Sequence, residues 1–96
     1  MAPKDDWPGL AEAILTDHAL EQIQRRQITP NDVREVLRNP QMVVPVRPGR
    51  VVAQSLAAGP NRHQFLLRVF VDVDRTPHRV VTAYRTSKID KYGSRP

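Results

Sequence analysis

The chain has no cysteine, so neither a disulfide framework nor a thiolate metal site is open to it, and a reducing, cytoplasmic compartment is the expectation. Three histidines without cysteine argue against a structural zinc site. Four scattered glycines match neither a P-loop nor a dinucleotide fingerprint, so no nucleotide cofactor, and no cofactor of any kind, is expected. Long apolar runs are missing too. Phe65-Leu66-Leu67 stops at Arg68, far short of the roughly 20 residues that cross a bilayer, and no membrane association is expected. Met1 to Gly9 carries Lys4, Asp5, Asp6 and Pro8 where a signal peptide would have its apolar core, so none is read there. Ser55 and Ser87 have no local acid or histidine arranged around them, and the G-x-S-x-G elbow of a serine triad is absent.

What is present fits one domain, since 96 residues leave no room for a second core. The formal charge of +5 is unevenly placed: residues 1–40 hold five Lys/Arg against seven Asp/Glu, residues 41–96 ten against three. Such an excess either serves solubility alone, which any net charge supplies, or marks the second half as the one that faces a polyanion such as RNA or DNA, or an acidic protein.

Residues 1–15 read as a flexible leader in which Trp7 tucks against the body. Leu10 to Leu15 is open between a helical turn and a strand lead-in. From Thr16 or Asp17, good N-caps, Ala19, Leu20 and Ile23 recur at helical spacing and Arg25-Arg26 suit a helix C-terminus, predicting a helix over about 17–27. Thr29-Pro30-Asn31-Asp32 starts a second helix with a capping hydroxyl, proline at the first position and an acid three residues after the cap. Val33, Val36 and Leu37 form its apolar stripe, and Asn39-Pro40 ends it. The period then changes to two. Strands are expected over Met42–Arg47, Arg50–Leu56, Gln64–Asp74 and Arg79–Arg85, with turns at Pro48-Gly49, Gly59-Pro60-Asn61 and Asp74 to Pro77, and Pro45 marks the first as an edge or bulged strand. The expected class is α+β: two N-terminal helices packed on a four-stranded antiparallel sheet, leaving the other face partly free. Residues 16–92 make the domain and 93–96 a polar tail.

The remaining inventory, histidine with strand-borne basic and hydroxyl residues, is what metal-independent RNA cleavage uses: a base for the ribose 2′-OH, an acid for the leaving 5′-oxygen and cations on the phosphate. His18 falls in the first turn of helix one, with Gln22 and Arg26 following at four-residue steps on the same face. Arg68 interrupts an apolar strand, pointing opposite to Leu67 and Val69, as a solvated outer-face residue or a phosphate clamp. Val80, Thr82 and Tyr84 are expected to share one face of the fourth strand and Val81, Ala83 and Arg85 the other, and Tyr84 either packs or meets RNA. Arg85, Lys88 and Lys91 extend the basic surface, and His63 and His78 read as exposed turn residues.

The stretch His18-Ala19, Ile23, Arg26, Ile28-Thr29 and Val33 resembles the His-Ala-x-x-Arg-Met-x-x-Arg-Gly-Ile-Ser/Thr-x-x-x-Val opening of a bacterial family of small uncharacterised domains grouped with BrnT-type and RelE-like ribonuclease toxins. Leu67-Arg68-Val69 and Val80-Val81-Thr82-Ala83-Tyr84 resemble its close, which also occurs in C-terminal modules of polymorphic toxins. The resemblance covers roughly Thr16 to Tyr92. It implies a RelE/BrnT-like fold and a toxin-type endoribonuclease with catalytic residues His18, Arg68, Thr82 and Tyr84. Arg26, Arg85, Lys88 and Lys91 are then substrate contacts, and the partners are RNA and a cognate antitoxin or immunity protein. Two positions depart from the pattern: Gln22 replaces an arginine, and Gln27 replaces the glycine that ends the helix. The alternative is a non-catalytic basic module that binds nucleic acid or an acidic protein.

Overall fold

The computed structural model describes residues 7–58 and 63–89. After a 3₁₀ turn at Leu10–Glu12 come β1 (Ile14–Leu15), α1 (Asp17–Arg25), α2 (Pro30–Arg38), β2 (Met42–Arg47), β3 (Arg50–Ala58), β4 (Gln64–Asp72) and β5 (Arg79–Thr86). The class is α+β as expected, with two helices on one sheet. The strand count and orientation are corrected: the sheet has five strands in the order β1-β5-β4-β3-β2 and is mixed, because β1 pairs with β5 in parallel. Two residues are too short to show a period of two, and their partners Arg79 and Val80 lie at the far end of the chain, so no local pattern announces this strand. Residues 10–15, expected within the leader, enter the core through Leu10 and Ala13.

Both helices start as their sequences dictate. Thr16 caps α1 by accepting from the Ala19 N–H at 3.1 Å, and the same hydroxyl donates to the Val80 carbonyl at 3.0 Å. One side chain thus satisfies an orphan helix donor and fastens the helix start to β5. Thr29 and Asp32 form a reciprocal capping box, with Pro30 at the first helical position. Between the helices Gln27 takes φ 59°, the left-handed conformation that ends a helix.

Ala19 and Ile23 of α1 and Val33, Val36 and Leu37 of α2 are buried against Val51, Ala53, Leu67, Val69, Val71, Val80 and Ala83 of the sheet. α1 lies along β5, and α2 lies over β3 and β4. The opposite face is less open than the alternation suggests, since Val52, Gln54 and Leu66 are buried as well. The Pro48-Gly49 turn is present, with Gly49 at φ 83°, and the register of β2 shifts between Pro45 and Arg47 at this sheet edge. The Gly59-Pro60-Asn61 turn lies outside the described residues. At the other end of β3 and β4, Arg50 faces Asp72 and donates to it from Nε at 2.6 Å and Nη2 at 3.3 Å. That hydrogen bond holds the Asp72 carboxyl below its ordinary range. Burial opposes the shift, and the charges of Arg50, Arg47 and Arg75 reinforce it.

Two stability measurements check these readings. Replacing Gln27→Gly removes the side-chain cost of a left-handed residue and is expected to stabilise the domain by about 1 kcal/mol, read from the urea midpoint. Because the Asp72 pKa is lowered by folding, its contribution is complete above the unfolded value of about 4 and is lost as pH falls through the folded value. Asp72→Asn is therefore expected to cost about 1 kcal/mol at neutral pH, with the gap to the native chain closing below about pH 4.

Candidate functional site

Strand β4 turns Leu67, Val69 and Val71 toward the helices and Arg68 and Phe70 away from them. The registers place Met42, Gln54, Arg68 and Tyr84 in one row across four strands. Hydrogen bonds follow that row. Arg68 Nε donates to Gln54 Oε1 at 2.9 Å, Arg68 Nη1 donates to the Tyr84 hydroxyl at 2.7 Å, and Gln54 Nε2 reaches Met42 Sδ at 3.4 Å. The guanidinium lies over the rings of Phe70 and Tyr84, 5.4 and 5.7 Å from their centroids. A planar cation hydrogen-bonded from two nitrogens and lying within 6 Å of two ring centroids has lost most of its rotamer freedom before any ligand arrives.

The adjoining row pairs Phe70 with Thr82, next to a bulge in which β5 carries an extra residue, and that extra residue turns Val80 into the core with Ala83 and not, as expected, onto the face of Thr82 and Tyr84. β1 covers β5 only at Arg79 and Val80, so α1 supplies partners further along that edge. Arg26 Nη1 donates to the Ala83 carbonyl at 2.8 Å and to the Thr82 hydroxyl at 3.0 Å, and that hydroxyl donates to Gln22 Oε1 at 2.6 Å. Gln22, where the resembling pattern has arginine, is thus the acceptor that orients Thr82. His18 stands one turn earlier on the same face of α1, exposed and without a hydrogen bond or ion pair among the described residues.

The structure therefore joins Arg68 to Tyr84 and Thr82 to Arg26, in neighbouring rows, and leaves His18 exposed in the first turn of α1, in contact with neither pair among the described residues. Arg85 belongs elsewhere. It pairs with Leu67 on the helix-covered side, where its Nη2 donates to the carbonyls of Arg26 and Gln27 and its guanidinium lies 5.9 Å from the Phe65 ring. This arginine satisfies the end of α1. Lys88 is exposed just past β5, its N–H bonded to Thr86 Oγ1, and Lys91 lies outside the described residues. His63 is exposed as expected, but His78 is half-buried. Its Nδ1 is 2.8 Å from the Arg75 carbonyl and its Nε2 3.1 Å from that of Pro8, so it ties the segment before β1 to the β4–β5 connection.

Sequence reasoning passed over Gln54 of the Arg68 row and Phe70 of the adjoining one. Gln54 is 1 % exposed, and its signal was a lone amide in the apolar run Val51-Val52-Ala53 of a strand. Phe70 follows Arg68 by two residues, which on a strand means the same face, but it counted only as one of the apolar neighbours that Arg68 interrupts. A cavity of about 180 Å³ lined by Met42, Gln54, Leu56, Leu66 and Ile89 adjoins the row. Larger hollows lie elsewhere, one of about 300 Å³ between α2 and β3 with Asp32 and Glu35 on its wall. Its carboxylates would repel a polyanion. Among the described residues no helix is long and apolar enough to cross a membrane, and no group of three His, Cys, Asp or Glu is placed to hold a metal.

A family model described as a domain of unknown function, DUF4258, matches residues 15–85. The match takes in His18, Arg26, Arg68, Thr82, Tyr84 and Arg85 and stops before Lys88. No curated protein and no solved structure matches the chain.

If Tyr84 Oη is the acceptor that holds Arg68, Tyr84→Phe keeps the ring and removes a bond to a charged donor. The expected cost is about 1–2 kcal/mol in chemical denaturation, and an unchanged midpoint would show that the pair is idle.

Proposed function

The chain belongs to the DUF4258 family, and we propose that it is a metal-independent endoribonuclease of the toxin type, related to the BrnT-type and RelE-like toxins and acting in the cytoplasm. The observation that carries the reading is the Arg68 guanidinium, aimed by Gln54 and Tyr84 and flanked in the next row by Thr82 and Arg26. It is supported further by the charge of the sheet half, ten Lys/Arg against three Asp/Glu over residues 41–96.

In this reading the ribose 2′-oxygen attacks the adjacent phosphorus and the bond to the 5′-oxygen breaks, leaving a 2′,3′-cyclic phosphate and a 5′-hydroxyl. His18 takes the 2′-OH proton while water protonates the leaving oxygen, or supplies that proton while water takes the one from the 2′-OH, because imidazole is the side chain that does either near neutral pH. Arg68 meets the phosphate as its charge redistributes, and a preplaced cation needs no reorganisation at that moment. Tyr84 and Thr82 orient the nucleotide, Arg26 holds Thr82, and Lys88 adds a backbone contact. A cognate antitoxin or immunity protein that neutralises the activity would cover this basic face.

The test is cleavage of RNA by the purified chain with and without a chelator. The native chain is expected to cut in both, His18→Ala to slow cleavage by about 10²–10⁴-fold and Arg68→Ala by about 10²–10³-fold, each variant first shown to be folded by circular dichroism. Intact RNA with the native chain, or equal cleavage by all three, overturns the proposal. Salt-dependent RNA binding without cleavage would instead mark a non-catalytic binding module.

A further inference from the structure

Phe70 plays no part in the chemistry above, yet it lies beside Arg68 and Tyr84 on the sheet face away from the helices. Its ring stacks against Tyr84 at a centroid distance of 5.8 Å and an interplanar angle of 26°, on the sheet face turned away from the helical core. Both rings are only half-buried, whereas Val52, Gln54 and Leu66 on the same face are buried. Two aromatic rings and a guanidinium form one continuous π surface at the site where the phosphate cation sits.

We infer that Phe70, with Tyr84 and Arg68, is a nucleobase subsite that takes one unstacked base of single-stranded RNA. The inference rests on the chain acting on RNA. Three observations support this occupant. A base offers a flat face to rings and guanidinium planes alike, whereas an aliphatic ligand gains nothing from the cation that lies over them. Gln54 and the Tyr84 hydroxyl pin the guanidinium over the rings, so base and phosphate of the same nucleotide can be met by adjoining groups. The sheet half of the chain carries the positive excess that a polyanion neutralises. Thr82 pairs directly with Phe70, which brings a stacked nucleotide next to the Arg26–Thr82–Gln22 chain and to the side of α1 that carries His18. A duplex does not fit this mode, because its bases are stacked on one another.

The experiment uses a short single-stranded RNA carrying 2-aminopurine on a 2′-O-methyl backbone, which binds but has no 2′-OH to attack. The native chain is expected to quench the fluorescent base on binding and to prefer this strand to its duplex. Phe70→Leu keeps an apolar side chain against Tyr84 and is expected to lose the quench and to weaken binding by about fivefold to about a hundredfold. Phe70→Trp is expected to retain the quench. Equal quench and affinity in Phe70→Leu, or equal affinity for the duplex, overturns the subsite, while cleavage of unmodified RNA by the native chain would still stand. No binding of either RNA by a chain that also leaves unmodified RNA intact overturns both this inference and the ribonuclease reading beneath it.

Discussion

The rest of the structure depends on how the outer edge of β5 is satisfied. An edge strand presents backbone donors and acceptors that must be paired, covered or solvated. β1 reaches only Arg79 and Val80, and the two residues that cap α1 complete the edge: Thr16 donates to the Val80 carbonyl and Arg26 to that of Ala83. In return Arg85 of β5 donates to the carbonyls at the end of α1. Helix and strand complete one another's unpaired groups, which fixes α1 lengthwise along β5 as well as in depth against the core.

That docking builds the candidate site. Once α1 lies along β5, Gln22 and Arg26 meet Thr82, and the acidic helical half of the chain contributes to a surface whose charge comes from the sheet half. The Arg68 row is built differently, by register: Gln54, Arg68 and Tyr84 come together because three antiparallel strands align. A slip of one residue in any of them would send its member to the helix side. Packing of Val51, Ala53, Val69, Val71 and Ala83 against the helices opposes that slip, so the core holds the polar row in register.

Local chemistry made much of this legible. Thr16, Thr29, Pro30 and Asp32 specify their helix starts by hydrogen bonds within a few residues, and the alternation of Leu67, Val69 and Val71 assigns Arg68 to the opposite face. The parts that escaped are those set by partners distant in sequence. β1 is defined by residues more than sixty positions away, and His78 is drawn in by the Pro8 carbonyl. Arg85, expected as a substrate contact although alternation sets it opposite Tyr84, closes the end of α1 instead, through the carbonyls of Arg26 and Gln27. Gln54 is polar but buried, a combination that only a neighbour such as Arg68 makes tolerable.

By itself the sequence determined the two helices, the four longer strands, the charge division between the halves and the face on which Arg68 lies, because each follows from periodicity or from contacts within one turn. Tertiary structure alone decided the fifth strand and its parallel pairing, the union of Arg68 with Gln54 and Tyr84, and the assignment of Arg85 to the end of α1 rather than to the candidate site. Those outcomes depend on which strands align and on which backbone groups remain unpaired once they have done so, and neither is a property of any single segment.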